Sequence, residues 1–96
     1  MPKFSLSKQA KSDVLNIARY TLDQFGVKQA RSYHNDMDEC FMGLSENPKL
    51  GKCIDYIRKG YRQYNHKSHI IFYKIEEPGI FIIRVLHKSA DVLLHL

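Results

Sequence analysis

Apolar residues recur at three- and four-residue intervals through the first half of the chain and at shorter spacing through the second. From Lys8 to Phe25 the positions Ala10, Val14, Ile17, Ala18, Leu22 and Phe25 make one stripe, the pattern of an amphipathic helix. Ser7 offers a hydroxyl to cap its start and Gly26 supplies the backbone freedom to end it. The spacing of Ala30, Tyr33, Met37, Cys40, Phe41 and Leu44 predicts a second helix over 27–44, with Asp36, Asp38 and Glu39 on its outer face. The break at Gly26 makes the two an antiparallel hairpin, and Asn47-Pro48 ends the second because proline disfavours a helical residue before it. Ahead of the hairpin, Phe4 and Leu6 alternate with polar residues, which predicts a short strand over 3–6.

Residues 49–59 read as a loop, with Ile54, Tyr56 and Ile57 as anchors against the core. After Gly60 the period becomes two. Residues 61–66 predict a strand, Lys67-Ser68 a tight turn, and 69–75, rich in isoleucine and aromatics, a central buried strand. Glu76-Glu77-Pro78-Gly79 is a turn sequence in which proline presets one backbone angle and glycine permits the next. Residues 80–87 form the return strand. Ser89 is placed to cap a last turn of helix whose apolar face is Val92, Leu93 and Leu96. The order predicts an α+β domain: an N-terminal strand and a helical hairpin packed on a small, mostly antiparallel sheet, with a short C-terminal helix.

With 96 residues, one domain spanning 1–96 is expected, without internal repeats or linkers. A hydrophobic fraction of 44% and a charged fraction of 26% are those of an ordinary folded domain. The longest apolar run, around 80–86, is broken by Arg84, and the first residues lack a secretory pattern, so a cytoplasmic, non-membrane protein is expected. Cys40 and Cys53 form no C-x-x-C pair and are expected as reduced thiols, Cys40 as a small core residue.

Charge sharpens the picture. Residues 1–48 carry six Lys/Arg and six Asp/Glu, whereas residues 49–96 carry nine and four, so the whole excess of +5 lies in the second half. A basic face there would attract nucleic acid or an acidic protein, and charge alone does not choose between them. Its candidates are Arg58, Lys59, Arg62, Arg84, His87 and Lys88, with Lys67 nearby. Tyr56, Tyr61, Tyr64 and Tyr73 are interleaved with these cations and read first as cross-strand packing partners. Arg84 and His87, three apart, fall on opposite faces of a regular strand and need a bulge or a strand end to converge.

His66 and His69 flank the predicted turn with no Cys, Asp or Glu close in sequence to complete a metal shell, so no metal and no cofactor is expected. His34 and His95 read as solvated, and His87 is the histidine to test for acid–base work. Asp13, Asp23, Asp36 and Asp38 read as the wet face of the helices. Nucleophile elbows, phosphate loops and dinucleotide fingerprints do not occur in the sequence.

The strings Gly60-Tyr61-Arg62-Gln63-Tyr64, Ser68-His69-Ile70-Ile71-Phe72-Tyr73 and Ile83-Arg84-Val85-Leu86-His87-Lys88-Ser89-Ala90-Asp91 resemble the C-terminal half of ParE-type toxins of the RelE/ParE superfamily. The helical hairpin and Asn47-Pro48 followed by Gly51-Lys52 extend the resemblance over nearly the whole chain. It implies the toxin of a type II toxin–antitoxin pair, a DNA gyrase inhibitor rather than an enzyme, neutralised by a ParD-type antitoxin that folds around it. The RelE-like branch, which cuts messenger RNA on the ribosome, is the alternative, and it would use Arg62, Arg84 and His87. The ending Asp91-Val92-Leu93-Leu94-His95-Leu96, apolar and without tyrosine, departs from that ribonuclease pattern. Lys88-Ser89 departs from many ParE relatives, in which glycine and arginine are common. A non-toxic binding relic of the family is the third reading.

Overall fold

The computed structural model describes residues 3–96. Strand β1 (Phe4–Leu6) leads into α1 (Lys8–Phe25) and α2 (Val27–Glu46). A 3-10 turn (Pro48–Leu50) and the two-residue strand β2 (Lys52–Cys53) follow, then β3 (Tyr61–His66), β4 (His69–Glu76), β5 (Gly79–His87) and α3 (Val92–His95). The five strands form one sheet in the order β1-β5-β4-β3-β2; β1 runs parallel to β5 and every other pairing is antiparallel.

The helical hairpin forms as its pattern requires. Ser7 Oγ accepts the Ala10 N–H at 2.9 Å, capping α1. Gly26, at φ 89°, serves both helices: its N–H closes α1 on the Leu22 carbonyl and its own carbonyl accepts the Ala30 N–H. The stripes of both helices cover one face of the sheet, where Ala10, Met37, Phe41 and Leu44 pack with Ile71, Tyr73, Ile80, Ile82 and Val85. Burying each large side chain of this set contributes about 1.5–3 kcal/mol. The last turn of α1 overhangs the sheet, so Leu22 and Phe25, on the expected stripe, are 45% and 67% exposed.

The opposite sheet face carries a smaller core of Ile54, Phe72 and Leu86, covered by Ile57, Ala90, Val92 and Leu96 from the β2–β3 connection and α3. The segment read as a loop contains β2, which pairs with Arg62 and Gln63. Ile54 and Ile57 anchor it as expected, but Tyr56 is 75% exposed. Two details of the last helix also differ. Its cap is Asp91, whose carboxylate accepts the Leu93 N–H at 3.1 Å, because the hydroxyl of Ser89 is turned to His87. Leu93 points away from the core that Val92 and Leu96 enter.

Gly79 is required for a reason other than backbone angle. A Cβ there would lie 1.6 Å from the Lys3 carbonyl oxygen, the group that accepts the Ile80 N–H where the first strand joins β5.

Candidate functional site

The β4–β5 ladder contains a bulge: Phe72 pairs with Arg84 and Tyr73 with Ile82, leaving Ile83 unpaired. Its carbonyl accepts the Ser7 hydroxyl at 2.7 Å. The bulge precedes Arg84 and therefore leaves the phase between Arg84 and His87 unchanged. Val85 and His87 register with Ile71 and His69 on the helix side, and Arg84 and Leu86 with Phe72 and Ile70 on the other.

Arg84 reaches the sheet edge, where Asp13 of α1 meets it. Its Nε and Nη2 donate to the two carboxylate oxygens at 2.8 and 2.9 Å, and Asp13 Oδ2 also accepts the Val85 N–H at 3.0 Å. Asp13 thus continues the edge beyond the end of β1, and its carboxylate raises the pKa of the guanidinium. The pair is largely buried. Asp13, read as part of the wet helix face, belongs to this buried contact instead, because α1 returns directly over the open end of β5.

Arg62, in β3, lies on the helix side at the far edge and donates from Nη1 to the Gly51 carbonyl at 2.7 Å. Arg58 donates to the Leu96 carbonyl oxygen, joining the β2–β3 connection to the C-terminal helix. Lys59 and Lys88 are exposed with their charges outward. Arg62, Arg84 and His87 are therefore not brought together: Arg62 registers with Tyr73, Arg84 leaves on the other edge, and His87 registers with His69, four residues along β4. The basic residues divide into one group around Arg58, Lys59 and Arg62 and another at the end of β5.

A different set of side chains does converge. His66, His69 and His87 stand side by side across β3, β4 and β5 on the helix face, His66 opposite His69 and His69 opposite His87. The rings of His69 and His87 meet edge to face at 5.5 Å. Tyr33 of α2 closes the row, its hydroxyl 2.6 Å from His69 Nδ1 and its ring 5.9 Å from that of His66. Burial first, then His87 and His66, hold the pKa of His69 below its ordinary value. Burial and Lys67 lower that of His66. Burial, then Cys40 and Asp36, raise that of Tyr33, so its O–H keeps its proton. Lys67, at φ 54° in the hairpin turn, places its ammonium 5.5 Å from the centre of the Tyr33 ring and pairs with Asp36.

Tyr33, His69 and His87 form one end of a groove of about 690 Å³ between the hairpin and the end of the sheet, with Ile17, Tyr20, Phe25 and Val85 along its length, while His66 lines a separate recess with Asp36, Glu39 and Cys40. Spacing singled out His66 and His69 but considered them only as metal ligands. Among the described residues no group of three or more His, Cys, Asp or Glu is arranged to hold a metal ion. His87, chosen as the histidine for acid–base work, is in the row, with Nδ1 accepting the Ser89 N–H at 3.1 Å. Tyr33 was read only as helix stripe; no local signal links residues 33, 66, 69 and 87.

A strand, a helical hairpin, a five-stranded mixed sheet and a short final helix define the RelE/ParE-like class of small α+β proteins. Within that class the family described as the ParE toxin of the type II toxin–antitoxin system parDE matches residues 4–92, and the chain belongs to this family. It is 34% identical over 96 residues to Toxin ParE1 of Caulobacter vibrioides, covering 100% of this chain and 99% of that protein. It is 35% identical over 91 residues to Toxin ParE1 of Mycobacterium tuberculosis, covering 94% and 93%. A solved chain titled as the chromosomal ParDE system of P. aeruginosa shares the fold, with a TM-score of 0.76 at 18% identity over 91% of this chain and 96% of that one. No helix among the described residues is long and apolar enough to cross a membrane.

Proposed function

We propose that this chain is a cytoplasmic toxin that inhibits DNA gyrase by binding it and is neutralised by a ParD-type antitoxin. The family match across residues 4–92 carries the reading. The solved relative whose title names a ParDE system supports a partner of the ParD kind. The separation of Arg62, Arg84 and His87 weighs against ribosome-dependent cutting of messenger RNA, since acid–base cleavage needs its groups within hydrogen-bond reach of one phosphate. Arg58, Lys59 and Arg62, close together at the β2–β3 edge of the sheet, are the surface we assign to the target, with His87 and Lys88 as a second contact.

Expression of the chain alone should arrest growth, and co-expression of a ParD-type antitoxin should restore it. Purified protein should trap gyrase on cleaved DNA and leave ribosome-bound messenger RNA intact. Messenger cleavage without an effect on gyrase would move the chain to the ribonuclease branch; normal growth would leave a non-toxic binding relic.

A further inference from the structure

Three histidines aligned across three neighbouring strands concentrate titratable groups where a strand end would ordinarily carry solvated side chains. The groove that His69 and His87 close is mainly apolar along its length, lined by Ile17, Tyr20, Phe25 and Val85. Its polar end offers donors. Ser89 N–H engages His87 Nδ1, so the neutral His87 ring carries its proton on Nε2. Tyr33 engages His69 Nδ1, so Nε2 is the nitrogen of His69 left for a ligand. His66, beyond His69 and outside the groove, has a buried Nε2 without a hydrogen-bond partner among the described residues.

The charges facing the row decide which occupant fits. From α1, Asp13 lines the groove, but both its oxygens are occupied by Arg84 and the Val85 N–H. From α2, Asp36 is paired with Lys67 at the hairpin turn, Cys40 lies near Tyr33, and Tyr33 holds its proton. From β3 and β5 come only His66 and His87. Glu39 of α2 shares the recess of His66, but among the described residues that line the groove His69 and His87 have no free anion against them and gain positive charge with each proton.

A nucleic-acid backbone would need several permanent cations in line, and the groove supplies one, already paired. A single carboxylate on an otherwise apolar protein segment matches both the walls and the end.

We propose that the groove takes an apolar segment of the antitoxin with one Asp or Glu side chain against His69 and His87, and that His69 takes up a proton as the segment binds. The inference rests on the antitoxin reading above and adds to it the carboxylate and the proton. In the free chain, burial and the two flanking imidazoles keep His69 neutral near pH 7. The arriving carboxylate reverses that preference. Protonated His69 donates from Nδ1 to the Tyr33 oxygen and from Nε2 to the carboxylate, so no proton has to leave the site.

The test is calorimetry of the full chain with the ParD-type antitoxin of its own operon, between pH 6 and 8 and in two buffers of different ionisation heat. Between the free and bound pKa values, the uptake of one proton strengthens binding about tenfold for each unit fall in pH. The buffer dependence of the heat should correspond to about one proton taken up at pH 7. His69→Gln should abolish both effects while binding persists at pH 8. His87→Gln, at an exposed position that does not threaten folding, should weaken binding and shift the pH dependence of the wild type. Binding with pH-independent affinity and no proton uptake overturns the histidine proposal and leaves the antitoxin reading standing. No binding at any pH overturns the antitoxin reading itself.

Discussion

Arg84 and Asp13, separated by 71 positions in the sequence, form a two-pronged ion pair at 2.8 and 2.9 Å in which the carboxylate also accepts the Val85 N–H. The pair ties the first turns of α1 to the open edge of β5, and removing either partner leaves the other charge poorly solvated. Asp13→Ala should cost about 3 kcal/mol, toward the lower end of the range for breaking a buried pair because some solvent reaches both side chains. Urea denaturation should show Asp13→Leu/Arg84→Met losing less than Asp13→Ala. A loss below about 0.5 kcal/mol in the single variant would be the behaviour of an ordinary surface pair instead.

Because Arg84 is engaged in this way, its substitution and that of the outward lysines should fail differently. Arg84→Ala should lower stability and toxicity together. Lys59→Glu should leave the urea midpoint unchanged and reduce trapping of gyrase on cleaved DNA. Equal trapping by Lys59→Glu and wild type would remove the Arg58, Lys59, Arg62 group from the proposed target surface.

Tyr73 is fully buried, and its hydroxyl both donates to the Pro48 carbonyl at 2.7 Å and accepts the Gly51 N–H at 2.8 Å. Tyr73→Phe leaves both backbone groups without that partner and should cost about 2 kcal/mol. Gly51→Ala should cost at least as much, since its Cβ would sit 2.2 Å from the same hydroxyl oxygen. Thermal melts of both variants check this; a neutral Tyr73→Phe would mean that water replaces the hydroxyl.

The histidine row sets an early acid limit. The pKa values of His66 and His69 are lowered in the folded chain, so between their folded values and about 6.5 the unfolded state binds more protons and stability falls as pH falls. Above that window the contribution is fully present. Asp36, held low first by its hydrogen bond from Lys67, and Asp55, held low first by the Gly60 N–H, add a second loss at more acid pH, below the ordinary carboxylate range. Urea midpoints at pH 8, 6.5 and 5 should decline, and His69→Gln should flatten the upper part of that curve.

The two thiols should react at very different rates. Cys53 is exposed on the edge strand, whereas burial raises the pKa of Cys40 to about 11. A disulfide reagent at pH 8 should label one thiol quickly and the second only as the chain unfolds. Two equal fast phases would show that α2 lifts from the sheet.

Residue patterns along the chain are enough to mark out most of the elements and their order from N- to C-terminus. The helical stripes, the caps at Ser7 and Gly26, the period of two after Gly60 and the turns at Lys67-Ser68 and within Glu76-Glu77-Pro78-Gly79 are local signals, each set by backbone geometry within a few residues. Resemblance in the strings around 60–73 and 83–91 was enough to indicate the family that the comparisons show. Which charges are free and which polar groups meet depends instead on how distant segments come together. Asp13 reads as any helix-face carboxylate until α1 is laid over the end of β5. Tyr33 reads as helix stripe until that stripe meets His69. The row of His66, His69 and His87 exists because three strands align in register, and cross-strand register depends on where the chain folds back rather than on the spacing of those residues along it.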